Sequence, residues 1–257
     1  MQYEGIDVSV YQGVIDWAKV AQAGVRFAMV RAGSGEQKDS RAAENAIGAN
    51  QQGIVLGFYW FSYAYTVQMA INEAKRLIRF ARAYNVHYPL AWDFEDASVR
   101  YAATKGVTVD RALVTAMAQA FCQTVYAAGY MPMLYTNVSF LETYVNLRAI
   151  TAPVRLWLAR WETTEPGTEP MIWQYTSNGR VDGIGTAVDR NRSWWLPTME
   201  ALRLQTLADV PTSLRAETQK LIDVGALRGD GQGLDITLDM LRAMIVSMRY
   251  TDAQRNS

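Results

Sequence analysis

Through its first half the chain alternates short apolar runs with stretches of helical periodicity, and few folds accept that rhythm. The runs are "GIDVS" (5–9), "VRFAMVRA" (25–32), "IVLGFYWF" (54–61), "YPLAWDFE" (88–95) and "YMPMLYT" (130–136). Between them the spacing predicts helices near 14–23, 40–52, 66–85 and 108–128, the last with Thr108 as N-cap and Gly129 as the residue past its end. Strand–helix–strand repetition of this kind builds a parallel sheet with helical crossovers. The rhythm then breaks. "VRLWLAR" (154–160) and "MIWQYT" (171–176) are joined by "WETTEPGTEP", rich in Pro, Thr and Glu, and "GIGTAVDRN" follows almost at once. A parallel crossover needs a dozen or more residues and usually a helix. The last three strands are therefore expected to be joined by loops and to run at least partly antiparallel. Five β/α units and three further strands make eight, enough to close a barrel. The fold class expected is α/β, an irregular TIM-like barrel over residues 1–198.

A small all-α module is expected over 205–257. "SLRAETQKLIDVGALRG" reads as a helix from Ser213 with Leu214, Leu221 and Ile222 on one face, ending near Gly225. "TLDMLRAMIVSMRY" sets Leu238, Leu241, Ile245 and Met248 at near-heptad spacing. Two helices of this size bury little apolar surface alone. Such a module is expected to dock on the barrel, pair with a second copy through that stripe, or bind a ligand.

Composition matters here for what it excludes. The single cysteine, Cys122, forbids an intramolecular disulfide, and with one histidine, His87, a zinc site of several His or Cys ligands is impossible. Triad chemistry would need His87 as its only base; it precedes a strand in "NVHYP" and reads as structural, as Cys122 does inside its helix. Lysines and arginines number 25 against 25 acids, so no basic excess points to nucleic acid or an anionic membrane. No stretch of 18 apolar residues predicts a transmembrane helix. The N-terminus shows no charged segment leading into an apolar run, and the chain is expected to be made in the cytoplasm without a signal peptide.

Against this background "LAWDFED" (90–96) stands out, because carboxylates among apolar strand residues are costly to bury unless something uses them. Alternation points Asp93 and Glu95 the same way and Phe94 the other. Asp7 in "GIDVS" and Asp189 in "TAVDRN" also lie at strand ends. Four acids at one barrel mouth would repel, raising the pKa of at least one and leaving an acid and an ionised partner for glycoside chemistry. Other readings stay open: the D-x-E pair as a helix cap, a partner for Arg31 or Arg160, or a divalent-cation site; Asp7 as a turn residue; Asp189 as a partner for Arg190 or Arg192. Asp96 and Asp16 read as surface or capping groups. "GFYWFSYAY" brings Tyr59 and Phe61 to one face, and Tyr135 ends the fifth run, rings on which sugars stack.

Taken together, "GIDVSVYQGVIDW", "FAMVRAG", "GFYWF", "AWDFED", "LWLARW" and "WQYTSNGRVDGIGTAVDRN" resemble, in order, the motifs of family 25 glycoside hydrolases, the lysozymes (N-acetylmuramidases) that many phages use as endolysins. The resemblance covers roughly residues 3–195. It implies a barrel of five β/α units and three strands, and hydrolysis of the β-1,4 bond between N-acetylmuramic acid and N-acetylglucosamine in bacterial peptidoglycan. Glu95 would be the general acid, with Asp93, Asp7 and Asp189 completing the acidic site. Tyr59, Phe61, Tyr135 and Gln174 would bind substrate, and no metal or cofactor is implied. Arg31 receives no catalytic role. Residues two apart on a strand lie about 6.6 Å apart at Cα, which admits both retaining and inverting carboxyl spacings. Substrate-assisted retention, with Asp93 orienting the acetamido group, is the favoured expectation. The alternative is an inactive carbohydrate-binding protein on the same barrel. A chitinase-type barrel would show a D-x-x-D-x-D-x-E run, absent here, and a wall amidase or peptidase lacks the His and Cys it needs. The C-terminal module is expected to bind the wall, including its secondary polymers, or to mediate homo-oligomers. Action on the wall would follow release from the cytoplasm.

Overall fold

A computed structural model describes residues 2–84, 86–161, 170–197, 203–204, 206–210, 214–229 and 233–255. The chain divides into two units, 1–126 with 130–196, and 127–129 with 197–257.

Eight strands close the first unit into a barrel: β1 (Tyr3–Val8), β2 (Phe27–Ser34), β4 (Val55–Phe61), β5 (Leu90–Asp93), β6 (Pro132–Asn137), β7 (Arg155–Ala159), β8 (Ile172–Gly179) and β9 (Val188–Ser193), with β3 (Gln37–Lys38) a short hairpin strand on β2. From β1 through β2 and β4 to β8 each neighbouring pair is parallel. β9 runs antiparallel to both β8 and β1 and closes the ring. The expected change of direction is therefore confined to β9. The β7–β8 pair is parallel, against expectation: residues 160–171 are long enough for the crossover that the composition of the linker argued against. Residues 162–169 of that linker lie outside the described residues.

Inward side chains fill the barrel with Phe27, Met29, Tyr59, Tyr88, Ala91, Met133, Trp157 and Ile172. Gly5 makes room for this packing, since a Cβ there would stand 2.3 Å from the Phe27 ring. Outward, Leu56, Phe58, Trp60, Leu90 and Trp92 are buried beneath helices. These are α1 (Trp17–Gln22), α2 (Ala42–Gln51), α3 (Val67–Ala81), α4 (Asp96–Thr104), α5 (Arg111–Ala127) and α6 (Val138–Tyr144). The helix expected over 108–128 starts later, at Arg111, with Asp110 Oδ1 accepting from Leu113 N at 2.7 Å, so Asp110 and not Thr108 caps it. α4 has no counterpart in the sequence reading. At the β9 edge, charge and aromatics accompany the strands: Arg190 and Arg192 both reach Glu4 at 2.8 Å and lie over the Tyr175 ring.

The second unit is not all-α. A two-residue antiparallel ladder, β10 (Arg203–Leu204) with β11 (Ile236–Thr237), accompanies α7 (Arg215–Asp223) and α8 (Leu238–Arg255). Val210, Leu221, Leu227, Ile236, Leu241 and Ile245 form its own small core, with Leu214, Ile222 and Met248 packed against it. The stripe expected to pair with another copy is thus turned inward at Leu241, Ile245 and Met248. The Leu238 side chain lies outside the described residues.

Candidate active site

Parallel strands deliver their C-terminal ends to one rim, and an antiparallel strand begins there. Asp7 is the penultimate residue of β1, Asp93 the last of β5, and Asp189 the second of β9, directly opposite Asp7 in register. Glu95 is not on the strand. β5 stops at Asp93, and Glu95 is the N-cap of α4, its backbone still extended at φ −131°, ψ −175°. That extension keeps it on the Asp93 side, while Trp92 and Phe94 stack at 4.9 Å on the outer side. All four acids line one cavity of about 200 Å³, together with Tyr59, Phe61, Tyr135 and Gln174. His87 and Cys122 are not among its lining residues.

Of the partnerships weighed for these acids, Arg31 pairs instead with Asp39 (Nε to Oδ2, 2.8 Å), and Arg190 and Arg192 with Glu4. Arg31 nevertheless faces the cavity, and its charge opposes the rise in the Asp93 pKa.

A set of amides and indoles holds Asp7. Gln174 Nε2 and Asn191 Nδ2 both donate to Asp7 Oδ2, at 2.9 and 2.8 Å. Trp157 Nε1 donates to Asn191 Oδ1 at 2.7 Å, and Trp161 Nε1 to Gln174 Oε1 at 3.0 Å. An indole N–H can only donate, so each tryptophan fixes which end of its amide faces the acid. The Tyr135 hydroxyl also donates to Gln174 Oε1, at 3.0 Å. Gln174, expected to touch substrate, thus has its amide committed to Asp7, Tyr135 and Trp161. Asn191, Trp157 and Trp161 were not anticipated. Asn191 was discoverable, because it lies two residues beyond Asp189 and so shares its face.

Burial and crowding raise every acid here. Asp7 rises well above the ordinary carboxylate range through burial and the nearby Asp189, against the pull of Asn191 and Gln174. Asp93 rises likewise through burial, then Glu95 and Asp7. Glu95 rises through burial and then Asp96, opposed by a hydrogen bond with Tyr135. Asp189 is pushed up to about 6 by burial, opposed by hydrogen bonds that include one with the Asp7 carboxyl. Asp93 Oδ1 is buried and has no hydrogen-bond partner among the described residues. An orphaned acceptor of this kind is costly unless a ligand supplies the donor.

Residues 6–184 match the family described as glycosyl hydrolases family 25. The chain belongs to that family. Its glycoside hydrolase barrel is similar to Lysozyme M1 of Streptomyces globisporus, 29% identical in an alignment 205 residues long that covers 74% of this chain and 67% of that one. Among solved structures, it is similar to the modular autolysin LytC from Streptococcus pneumoniae in complex with a synthetic peptidoglycan ligand (28% identity, TM-score 0.66, 75% of this chain) and to the catalytic domain of endolysin ply40 from Listeria monocytogenes bacteriophage P40 (25% identity, TM-score 0.63, 74% of this chain and 92% of that one). The match spans about half of LytC, 47% of its chain.

Proposed function

We propose that this family 25 enzyme is an endolysin-type lysozyme that hydrolyses the β-1,4 bond between N-acetylmuramic acid and N-acetylglucosamine in bacterial peptidoglycan, with Glu95 as general acid. The observation that carries the reading is the convergence of four carboxylates in one cavity, where Glu95, half-buried like Asp189, stands at a helix N-cap. A general acid must hold its proton near neutral pH and reach the bridging oxygen. Asp7 is held from behind by two amides, Asp93 lies deeper and Asp189 is tied to the Asp7 carboxyl, which leaves Glu95 for that task. The relatives' printed activities, lysozyme and autolysin, support the substrate class.

Glu95 gives its proton to the bridging oxygen as the C1–O bond breaks and its electrons pass to that oxygen. The muramic acetamido oxygen attacks C1, and its N–H supplies the donor that Asp93 Oδ1 lacks. That N–H, with Arg31 alongside, favours the ionised form of Asp93. Water then attacks C1 as the bond from C1 to the acetamido oxygen breaks and its electrons return to that oxygen, and Glu95 takes up the water's proton, giving net retention.

Glu95→Gln abolishes release of reducing ends from purified peptidoglycan while leaving the circular dichroism unchanged. Residual activity within about tenfold of wild type, a barrier change of about 1.4 kcal/mol, rejects the assignment. Mass spectrometry separates muramic from glucosamine ends, and α product appearing first by NMR rejects retention. The second unit is assigned to wall binding, with its apolar stripe turned into its own core. The enzyme is taken to reach the wall after release from the cytoplasm.

A further inference from the structure

Glu73 is a buried carboxylate that the mechanism above does not use. It lies on α3, outside the barrel wall, 2% exposed among Ala70, Ala74 and Leu77. A leucine would suit such a helix face without the cost of burying an acid. Instead three donors converge on it: Ser62 Oγ at 2.5 Å and Trp92 Nε1 at 3.4 Å reach Oε2, and Tyr63 N at 3.0 Å reaches Oε1. Burial lifts its pKa to about 7, held back by those hydrogen bonds and by Arg76 on the same helix.

What these donors do next explains the acid. Trp92 immediately precedes Asp93. Ser62 N donates to the Asp93 carbonyl at 2.7 Å, and the Ser62 carbonyl accepts from Ser98 Oγ at 2.6 Å. Ser98 Oγ in turn accepts from Glu95 N at 3.1 Å. One residue, Ser62, therefore holds the backbone of Asp93 directly and that of Glu95 through Ser98, and Glu73 grips Ser62. Ser62 and Ser98 are fully buried, so water offers these groups no alternative partners.

We propose that Glu73 is a positioning residue for catalysis, fixing through Ser62 and Ser98 the backbone that carries Asp93 and Glu95. The proposal rests on the roles given to those two acids above. In the ionised form that the three hydrogen bonds favour, its oxygens accept only, which suits three converging donors. A glutamine must turn an N–H toward at least one of them.

In Glu73→Gln, kcat on peptidoglycan falls about ten- to a hundredfold, the scale of a misplacement near 1 Å. KM stays within about threefold, because substrate contacts are untouched. Ser62→Ala, which cuts the same link without altering Glu73, lowers kcat in the same direction, and the double variant is no worse than Glu73→Gln alone, as expected of groups acting as a unit. Equal changes in KM and kcat, or additive losses, mark a merely structural residue and overturn the proposal. Should Glu73→Gln not fold, an unchanged kcat in Ser62→Ala overturns it equally. Glu95→Gln is run alongside: inactive Glu95→Gln with unimpaired Glu73→Gln rejects this inference alone, whereas active Glu95→Gln rejects the acid assignment beneath it.

Discussion

Asp7 and Asp189 stand opposite each other across the antiparallel β1–β9 pair, their carboxyls hydrogen-bonded. Two carboxylates can bond each other only if one keeps its proton, so the pair holds a proton at a pH where free aspartates have lost theirs. The far oxygen of Asp7 is occupied by Gln174 and Asn191, which directs the shared proton toward Asp189.

This pairing sets a stability signature. An acid whose folded pKa is raised stabilises the fold where it remains protonated, and that contribution is lost as pH rises from the unfolded value, about 4, through the folded one. For Asp189 the window runs up to about 6. The wild-type Tm is expected to fall between pH 5 and 7.5. Asp189→Asn removes the charge that builds up, so its Tm at pH 7.5 is expected to exceed wild type by about 2–4 °C, the shift that about 1 kcal/mol makes in a chain of this size, while activity collapses. Differential scanning calorimetry at both pH values checks it; a wild-type Tm that rises across the window defeats the shared-proton account.

Asp96 offers a cleaner test of the general acid. It is exposed at the start of α4, outside the cavity lining, and after burial it is the main cause of the Glu95 rise. Asp96→Asn should move the alkaline limb of the kcat/KM profile to lower pH, because Glu95 gives up its proton sooner. Activity on the acid side stays within about twofold, since the loss at the helix N-terminus is only about 0.3–1 kcal/mol. An unmoved limb means that another group is the acid.

Asn191 ties Trp157 to Asp7, and all three are buried. Asn191→Leu keeps the volume but strands the indole N–H and leaves Asp7 Oδ2 with the Gln174 amide but not the Asn191 one. A buried unsatisfied group costs about 1–3 kcal/mol, and chemical denaturation is expected to register a loss of that order. kcat falls with it as Asp7 loses a donor that favours its charge. A fully stable, fully active Asn191→Leu removes the clamp from the account.

The acids were legible in the sequence because strand alternation is local: Asp7, Asp93 and Asp189 each needed only neighbours two residues away. Glu95 was placed on the right face for a partly wrong reason, since a cap residue with extended backbone imitates one more strand position. α4 escaped notice because it starts directly from the acidic segment, with Ser98 closing the cap in place of a separating turn. Direction was hardest where the sequence between strands carries no helical periodicity, as in the Pro-, Thr- and Glu-rich stretch between β7 and β8. The Trp157 and Trp161 contacts join residues far apart in the chain or across a linker, which no local periodicity encodes. In the second unit, a near-heptad stripe on α8 reads the same whether it meets a partner or its own α7 and β11; only the packed core distinguishes them.

Leu241 is fully buried at the centre of that core, with Leu221 and Ile245 beside it. Truncating it leaves a cavity that costs about 2–5 kcal/mol, comparable to all that so small a core supplies. Leu241→Ala in the full chain is therefore expected to unfold the second unit. If that unit binds the wall, the variant loses retention on sedimented walls by tenfold or more while cleaving soluble peptidoglycan fragments at the wild-type rate. Were the same stripe an oligomer interface instead, wild type would run as a dimer by light scattering, Leu241→Ala as a monomer, and wall retention would fall no further than the loss of paired sites explains. Undiminished retention by a monomeric variant leaves wall binding to the barrel.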